Sequence, residues 1–383
     1  MAITTRYFST AAAGDADGTS WANRAALLDG SGYFSSVITG FDFTSDSLIC
    51  RIGPGTYTVG QGFTSGLFSV SAPTTVSPLL FHGCDASGNL LAPVDPDWKS
   101  SQPAWSATGI PLIDFGGYYS GLAYFVPLHI NFTGSRSGYM FSDLHGAVWC
   151  QFFLTSSSTG AYISAASMAT MSNCVFSAEG ATAYSHIVQL GAEIYNCRIV
   201  GAGASSGTGD RHGILDDVGR HKFNCTVLDI GGDGIKCAAT HATRRFVVLG
   251  TTIANCGGSG INMSNSASPV TAIASINNCM ITGCGAYGIN ANSQLSALVT
   301  DCRLRDNTSG NISGLGNFPT DFHNYITDSD DATEYVDPAT GDYRIKNTAT
   351  DVWGKGYGAG DEPVPVSGSG GGGLPVLGGS IVR

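Results

Sequence analysis

The feature that most constrains this chain is a dipeptide that returns at a near-constant interval. Asn173-Cys174, Asn196-Cys197, Asn224-Cys225, Asn278-Cys279 and Asp301-Cys302 are each followed, two residues after the cysteine, by an apolar side chain: Phe176, Ile199, Val227, Ile281 and Leu304. Asn255-Cys256 is a further pair, displaced in phase. A second mark runs through the later repeats, where Gly234-Ile235, Gly260-Ile261 and Gly288-Ile289 sit in Asp-Gly-Ile-Lys, Ser-Gly-Ile-Asn and Tyr-Gly-Ile-Asn. Val227, Ile253 and Ile281 lie seven residues before those glycines, and Ile230, Cys256 and Cys284 lie four before them. Segments that superimpose at a fixed period in the twenties are the signature of a stacked solenoid.

Within each unit apolar and polar residues alternate over a few positions until Gly or Asn breaks the run, which is a strand pattern. A leucine-rich repeat has a similar period but needs several leucines per turn, and this chain lacks them. The expected fold is all-β, a parallel β-helix of roughly a dozen coils, about 60 Å long at ~4.8 Å per coil. Stacking then sets Cys174, Cys197, Cys225, Cys279 and Cys302 above one another in an internal ladder, where thiols act as small hydrophobes. The Asn before each cysteine suits a left-handed bend, its amide bonding to the Asn of the next coil. Eleven cysteines, an odd number, argue against a complete disulfide framework. Neither CxxC clusters nor partnering histidines accompany them, so no metal site and no cofactor are expected.

Composition narrows the class further. Fifty-three glycines and only 12% charged residues disfavour a helical protein, and 43% hydrophobic content excludes a disordered acidic chain. A net charge of −11 argues against nucleic acid as a partner. So sparse a charge suggests a surface covered in part by other subunits. No membrane span is expected, because the most apolar stretch, Gly121 to Ile130, is short and contains Pro127. The start, Met1-Ala-Ile-Thr-Thr-Arg-Tyr-Phe, does not read as a signal peptide, so the expectation is a product made in the cytoplasm.

A solenoid must close its ends. At the N-terminus, Thr19 or Ser20 is placed to cap a short helix with Trp21, Ala25 and Leu28 on one face, stopped by Gly30. The strand Arg6-Tyr-Phe-Ser precedes it, and Leu48-Ile-Cys-Arg-Ile-Gly-Pro-Gly-Thr-Tyr57 follows as strand, tight turn and strand. With its aromatic opening strand, Gly-Thr-Ser-Trp-Ala loop and Pro-Gly-Thr-Tyr turn, the sequence resembles the pectate-lyase-like right-handed parallel β-helix superfamily, of the kind found in bacteriophage virion proteins. Tyr335-Val-Asp-Pro-Ala-Thr-Gly-Asp-Tyr-Arg-Ile-Lys346 resembles the closing strand pair of such proteins. The resemblance covers roughly residues 5–357. It implies residues 1–44 as strand and cap helix and 45–357 as the β-helix, while composition marks 358–383 as a Gly- and Pro-rich tail.

The scaffold hosts lyases, hydrolases, epimerases and non-catalytic viral proteins, so function has to be argued from a site. The charge-dense stretch offers Asp210, His212, Asp216, Asp217, Arg220 and Lys236 as candidates if the protein is an enzyme. A glycosidase needs carboxylates on both sides of the scissile bond, and adjacent Asp216 and Asp217 would point to opposite faces of a strand. A lyase needs a base and a cation for the developing carbanion, roles open to Arg220 and Lys236. The polygalacturonases of this superfamily carry Asn-Thr-Asp, Asp-Asp, Gly-His-Gly and Arg-Ile-Lys in that order. Here Asp216-Asp217 follows His212-Gly213, no Asn-Thr-Asp lies upstream, and Arg344-Ile-Lys346 is far away, so these read as chance matches. His82, His129, His145, His186 and His323 are dispersed and read as core or turn histidines.

After Gly358 the character changes, with Ser367-Gly-Ser-Gly-Gly-Gly-Gly as a flexible linker. The last residues are not linker-like: Leu374, Val376, Leu377, Ile381 and Val382 form either a docking segment or a cap folded over the open end. The leading expectation is a non-enzymatic virion protein, a capsid decoration protein or head fibre, homotrimeric by analogy and joined to other capsid or tail proteins through this tail. The alternatives are a tailspike-like polysaccharide depolymerase or lyase, and a non-catalytic adhesin for a surface polysaccharide.

Overall fold

A computed structural model describes residues 2–348 apart from 61–67, 75, 92–109, 116–124, 135–140, 155–160, 179–185, 191–192, 204–210, 217–220, 238–244, 264–272, 292–295, 315–324, 327–334 and 338–341. The chain is a right-handed parallel β-helix. Nearly every strand pairs in parallel with its counterpart one coil away, and from Val175 onward the partners in the eleven-stranded sheet stand one repeat apart. From residue 186 onward three faces are distinct. Sheet one stacks His186–Leu190, His212–Asp216, Ile235–Cys237, Ile261–Asn262, Tyr287–Asn290 and Gly310–Ser313. Sheet two stacks Glu193–Tyr195, His221–Phe223, Arg245–Leu249, Ile273–Asn277 and Ser296–Thr300. The long strand Ala161–Ser172 pairs with the first strand of both, which is where one face divides into two. Sheet three has eleven strands, from Thr56–Val59 to Tyr325–Ile326. One strand per coil at ~4.8 Å makes the stack roughly 50 Å long.

The interior is a set of vertical rows. Sheet three sends in Phe132, Phe152 and Phe176, stacked at 5.2 and 4.9 Å between ring centroids, then Ile199, Val227, Ile253, Ile281 and Leu304. Sheet one sends in Val188, Ile214, Ile235, Ile261, Ile289 and Ile312. The expected cysteine ladder forms at the corner between sheets two and three: Cys150, Cys174, Cys197, Cys225, Thr251, Cys279 and Cys302 succeed one another, all buried. The Cys174 N–H donates to the Cys197 sulfur at 3.4 Å, and the Cys225 N–H to the Thr251 hydroxyl at 3.4 Å, so Thr substitutes for Cys within the row.

The bend before each cysteine is left-handed, with φ of 53° at Asn173, 50° at Asn196, 52° at Asn224, 52° at Asn278 and 52° at Asp301. Asn tolerates this conformation better than most residues. The Asn196 amide donates to the Asn173 side chain at 3.4 Å. Gly250, at φ 60°, holds the equivalent place one coil after Asn224. The displaced Asn255-Cys256 pair belongs to a second corner, after sheet three, where Asp229, Asn255 and Asp306 are left-handed and Ile230, Cys256, Cys284 and Asn307 form the inner row. The Asn255 amide donates to Asp229 at 3.3 Å, and the Cys284 N–H to Asn307 at 3.1 Å. The phase shift in the sequence is therefore a change of corner.

The Gly-Ile mark also has a cause. A Cβ on Gly234 would lie 2.6 Å from Ile253 Cγ2 and 3.0 Å from the Cys256 sulfur, and one on Gly260 would lie 2.2 Å from Ile281 Cγ2. The glycine faces inward where the sheet-three row and the second corner already fill the space. The isoleucine that follows is also buried, so the chain kinks there and turns the next residue outward.

Two expectations about the ends resolve differently. No helix forms over 19–30: Ala25–Ala26 pairs as a short parallel strand with Phe8–Ser9, and Ala25 and Leu27, two residues apart, are the buried positions. Trp21 lies edge-on to Tyr7, against Gly53 and Gly88, with the Arg24 guanidinium over its ring. Packing of Trp21 and the strand pairing outweigh a marginal helix with few apolar positions. The four-residue helix, Ser36–Thr39, comes later and is capped by the Ser35 hydroxyl. At the other end the expected strand pair forms, Tyr335–Asp337 running antiparallel to Asp342–Ile345. Tyr335 and Ile345 pack on Leu228, Ala254 and Met280, outward residues of sheet three, so the hairpin covers part of that outer flank. The tail residues Leu374, Val376, Leu377, Ile381 and Val382 lie outside the described residues. No helix among the described residues is long and apolar enough to cross a membrane.

Candidate functional site

Because the Gly-Ile kink turns residues on both sides of it outward, sheet one carries two adjacent outer rows. One holds His186, His212, Asp233 and Ser259; the other holds Gln189, Leu215, Lys236, Asn262 and Asn290. Two of the candidate residues, His212 and Lys236, therefore share one face.

His212 has a carboxylate partner. Its Nδ1 lies 3.4 Å from Asp233 Oδ2. That carboxylate is fixed from both sides, accepting from the Ser259 backbone N–H at 2.8 Å and from the Asn262 amide at 2.9 Å. Both side chains of the pair are nearly enclosed, at 5% and 10% exposure. Nδ1 makes no hydrogen bond with Asp233 in this geometry, so the carboxylate acts on the ring as a fixed neighbouring charge. His186 stacks one coil below His212 in register, with Nε2 3.3 Å from Gln189 Oε1. Burial, and then the neighbouring His212, push His186 down to about 4.

Asp216 is placed where it cannot act on a substrate. It points into the coil stack and is fully buried, ion-paired to the equally buried Lys222 Nζ. Lys222 occupies the inward row of sheet two between Ile194 and Val248, its ammonium 5.1 Å from the Phe246 ring centroid. As a candidate catalytic acid Asp216 is thus enclosed, and its neighbour in register, Cys237, also belongs to the interior. Asp210, Asp217 and Arg220 lie outside the described residues, as does His323. Among the dispersed histidines, His129 is a buried turn residue at φ 53°, stacked on Trp149 at 4.8 Å. Among the described residues no group of three or more His, Cys, Asp or Glu is arranged to hold a metal ion.

A second outer cluster was not singled out from sequence. On sheet two, Glu193 accepts from the Tyr195 hydroxyl at 2.6 Å and lies 3.3 Å from His221 Nδ1, and the Tyr195 ring stacks on Phe223 at 5.2 Å. The signal was present as the triplets Glu-Ile-Tyr (193–195) and His-Lys-Phe (221–223), which stand one coil apart in register.

Residues 151–302 match the family model described as a right handed beta helix region. That span holds the ladder from Cys174 to Cys302, both sheet-one rows and the Glu193 cluster. Among solved structures, the chain is similar to the pectate lyase Pel9A, at 13% identity and TM-score 0.47, covering 97% of this chain and 94% of that one. It is also similar to a rhamnogalacturonan lyase, at 13% identity and TM-score 0.44, covering 93% of this chain and 99% of that one. Identity this low transfers no activity. No curated protein matches the chain.

Proposed function

We propose that the protein is a non-enzymatic structural component of a bacteriophage particle, a capsid decoration protein or head fibre that works as a rigid rod. The observation that supports this is the state of its cysteines. All eleven are free thiols and all are buried. A chain with so many thiols, several of them adjacent in register, folds cleanly in a reducing compartment and risks mispairing along an oxidising export route. Assembly in the host cytoplasm and release by lysis fit that constraint. The inward placement of Asp216 agrees, since it turns one candidate acid into a structural ion pair. The rod is proposed to associate as a homotrimer and to join other virion proteins through residues 374–383.

The test is a truncation. Deleting residues 374–383 should leave a folded rod that is missing from purified particles. Normal incorporation of the truncated chain would remove the docking role of the tail, and absence of the full-length chain from particles would remove the virion reading.

A second reading, a polysaccharide lyase or hydrolase, is favoured by one observation: the His212–Asp233 pair held by Asn262, with Lys236 in the adjoining row. Release of reducing ends or unsaturated products from a polysaccharide by the parent chain, lost in His212→Ala, would establish it.

A further inference from the structure

The outer surface of sheet two and the corner beside it carry three neighbouring rows. Thr170, Glu193 and His221 form one, and Ser172, Tyr195 and Phe223 form the next. The bend residues Asn173, Asn196 and Asn224 form the third. Glu193 and His221 are open to solvent, with 32% and 39% of their side chains exposed. Tyr195 and Phe223 are half-buried, and Asn196 and Asn224 are exposed. Phe223 covers one face of the Tyr195 ring at an interplanar angle of 17°. On the other side the row continues with Ser172, whose side chain is too small to cover the second face.

We propose that this surface is a binding subsite for a neutral pyranose presented in a polysaccharide. A pyranose has a C–H face that packs on an aromatic ring and neighbouring hydroxyls that bond to planar polar groups. The step above Ser172 gives the ring a place for such a face. The Glu193 carboxylate, already oriented by the Tyr195 hydroxyl, stands on one side, and the Asn173 and Asn196 carboxamides stand on the other. The sugar is neutral because Glu193 and a net charge of −11 repel uronates. This subsite lies on a different sheet from the His212–Asp233 pair, and it holds whether or not the rod belongs to a virion.

Binding of the purified full-length chain to an array of immobilised neutral oligosaccharides, with polygalacturonate fragments as the acidic comparison, tests the proposal. The parent chain should bind neutral glycans and not the polygalacturonate fragments. Tyr195→Ala should weaken binding about tenfold or more, as truncation of a central aromatic contact does. Ser172→Phe should do the same by filling the step, while lengthening a stack of rings the coil already accepts. Failure of the parent to bind any neutral glycan, preference for polygalacturonate, or parental binding by both folded variants would each overturn it. So would an oligomer of the parent chain that Tyr195→Ala dissociates, since the face would then be buried between copies.

Discussion

The ammonium of Lys222 meets the carboxylate of Asp216 inside the coil stack, and neither side chain reaches solvent. The strand His221–Phe223 thus carries its cation inward and its aromatic ring outward, the reverse of what its own residues suggest. The inward row Met171, Ile194, Val248, Ile276 and Val299 sets that register from the coils on either side, and the pair with Asp216 offsets the charge that is buried as a result. Removing one partner takes from the other the opposite charge that meets it inside the stack. Lys222→Met or Asp216→Val alone should cost about 3–5 kcal/mol, and the double replacement should recover most of that loss. Denaturant unfolding of the three variants checks this. Additive losses in the double variant would mean that the two groups do not act as a pair.

The left-handed bends give a second expectation. Asn224→Ala should destabilise by roughly 1–2 kcal/mol, because alanine lacks asparagine's tolerance for the positive φ of this bend. Asn224→Gly should stay within about 0.5 kcal/mol of the parent, since glycine carries no such penalty. Gly250 already stands in the same row at φ 60°. Gly250→Ala should be worse than either, as its Cβ would lie 2.5 Å from Asn224 Oδ1. Thermal melts of the three variants rank them.

An inward glycine should be intolerant in a specific way. Gly234→Ala places a methyl group 2.6 Å from Ile253 Cγ2 and 2.7 Å from the Gly260 carbonyl. Overpacking of this kind costs ~1–3 kcal/mol. Pairing it with Ile253→Leu, which removes the β-branch carrying Cγ2, should relieve part of the cost but not all, because the backbone contact remains. Full rescue by Ile253→Leu would show that the carbonyl gives way freely.

Stability should fall toward both extremes of pH. Burial, ahead of the Arg51 and His129 charges, pushes His82 down to about 4, and burial pushes His186 to the same value. The unfolded chain takes up those protons first, near pH 6.5, so this stability is present above about 6.5 and is lost as pH falls toward 4. His186→Gln should flatten that limb. At the alkaline end, burial raises Cys50 and Cys174 well above an ordinary thiol. Unfolded thiols ionise from about pH 8.5 while buried ones stay protonated, so stability present below that value is lost as pH rises through it. Melting temperatures across the pH range report both limbs.

Much of the fold was legible because stacking repeats a residue type at each corner. The Asn-Cys pairs mark the corner between sheets two and three, and the Gly-Ile pairs mark the kink entering sheet one. What stayed hidden depends on neighbours in other coils. Nothing local to Trp21 says that it will pack on Tyr7 and Gly88 instead of joining a helix, and nothing local to Lys222 says that it will face inward. The His212–Asp233 pair was half visible, since His212 was a candidate while Asp233 stood only as the first residue of the Asp-Gly-Ile-Lys repeat. Asn262, which fixes Asp233 from 29 residues away, was recorded in the Gly-Ile-Asn repeat without a role.

The most direct measurement is alkylation of the native protein with iodoacetamide at neutral pH, read by mass spectrometry before and after unfolding. Rows of thiols enclosed by stacked coils should leave all eleven cysteines unmodified in the folded chain and all eleven reactive once it is unfolded. Rapid labelling of Cys174, Cys197 or Cys225 in the native state would contradict a closed interior built from superimposed side chains.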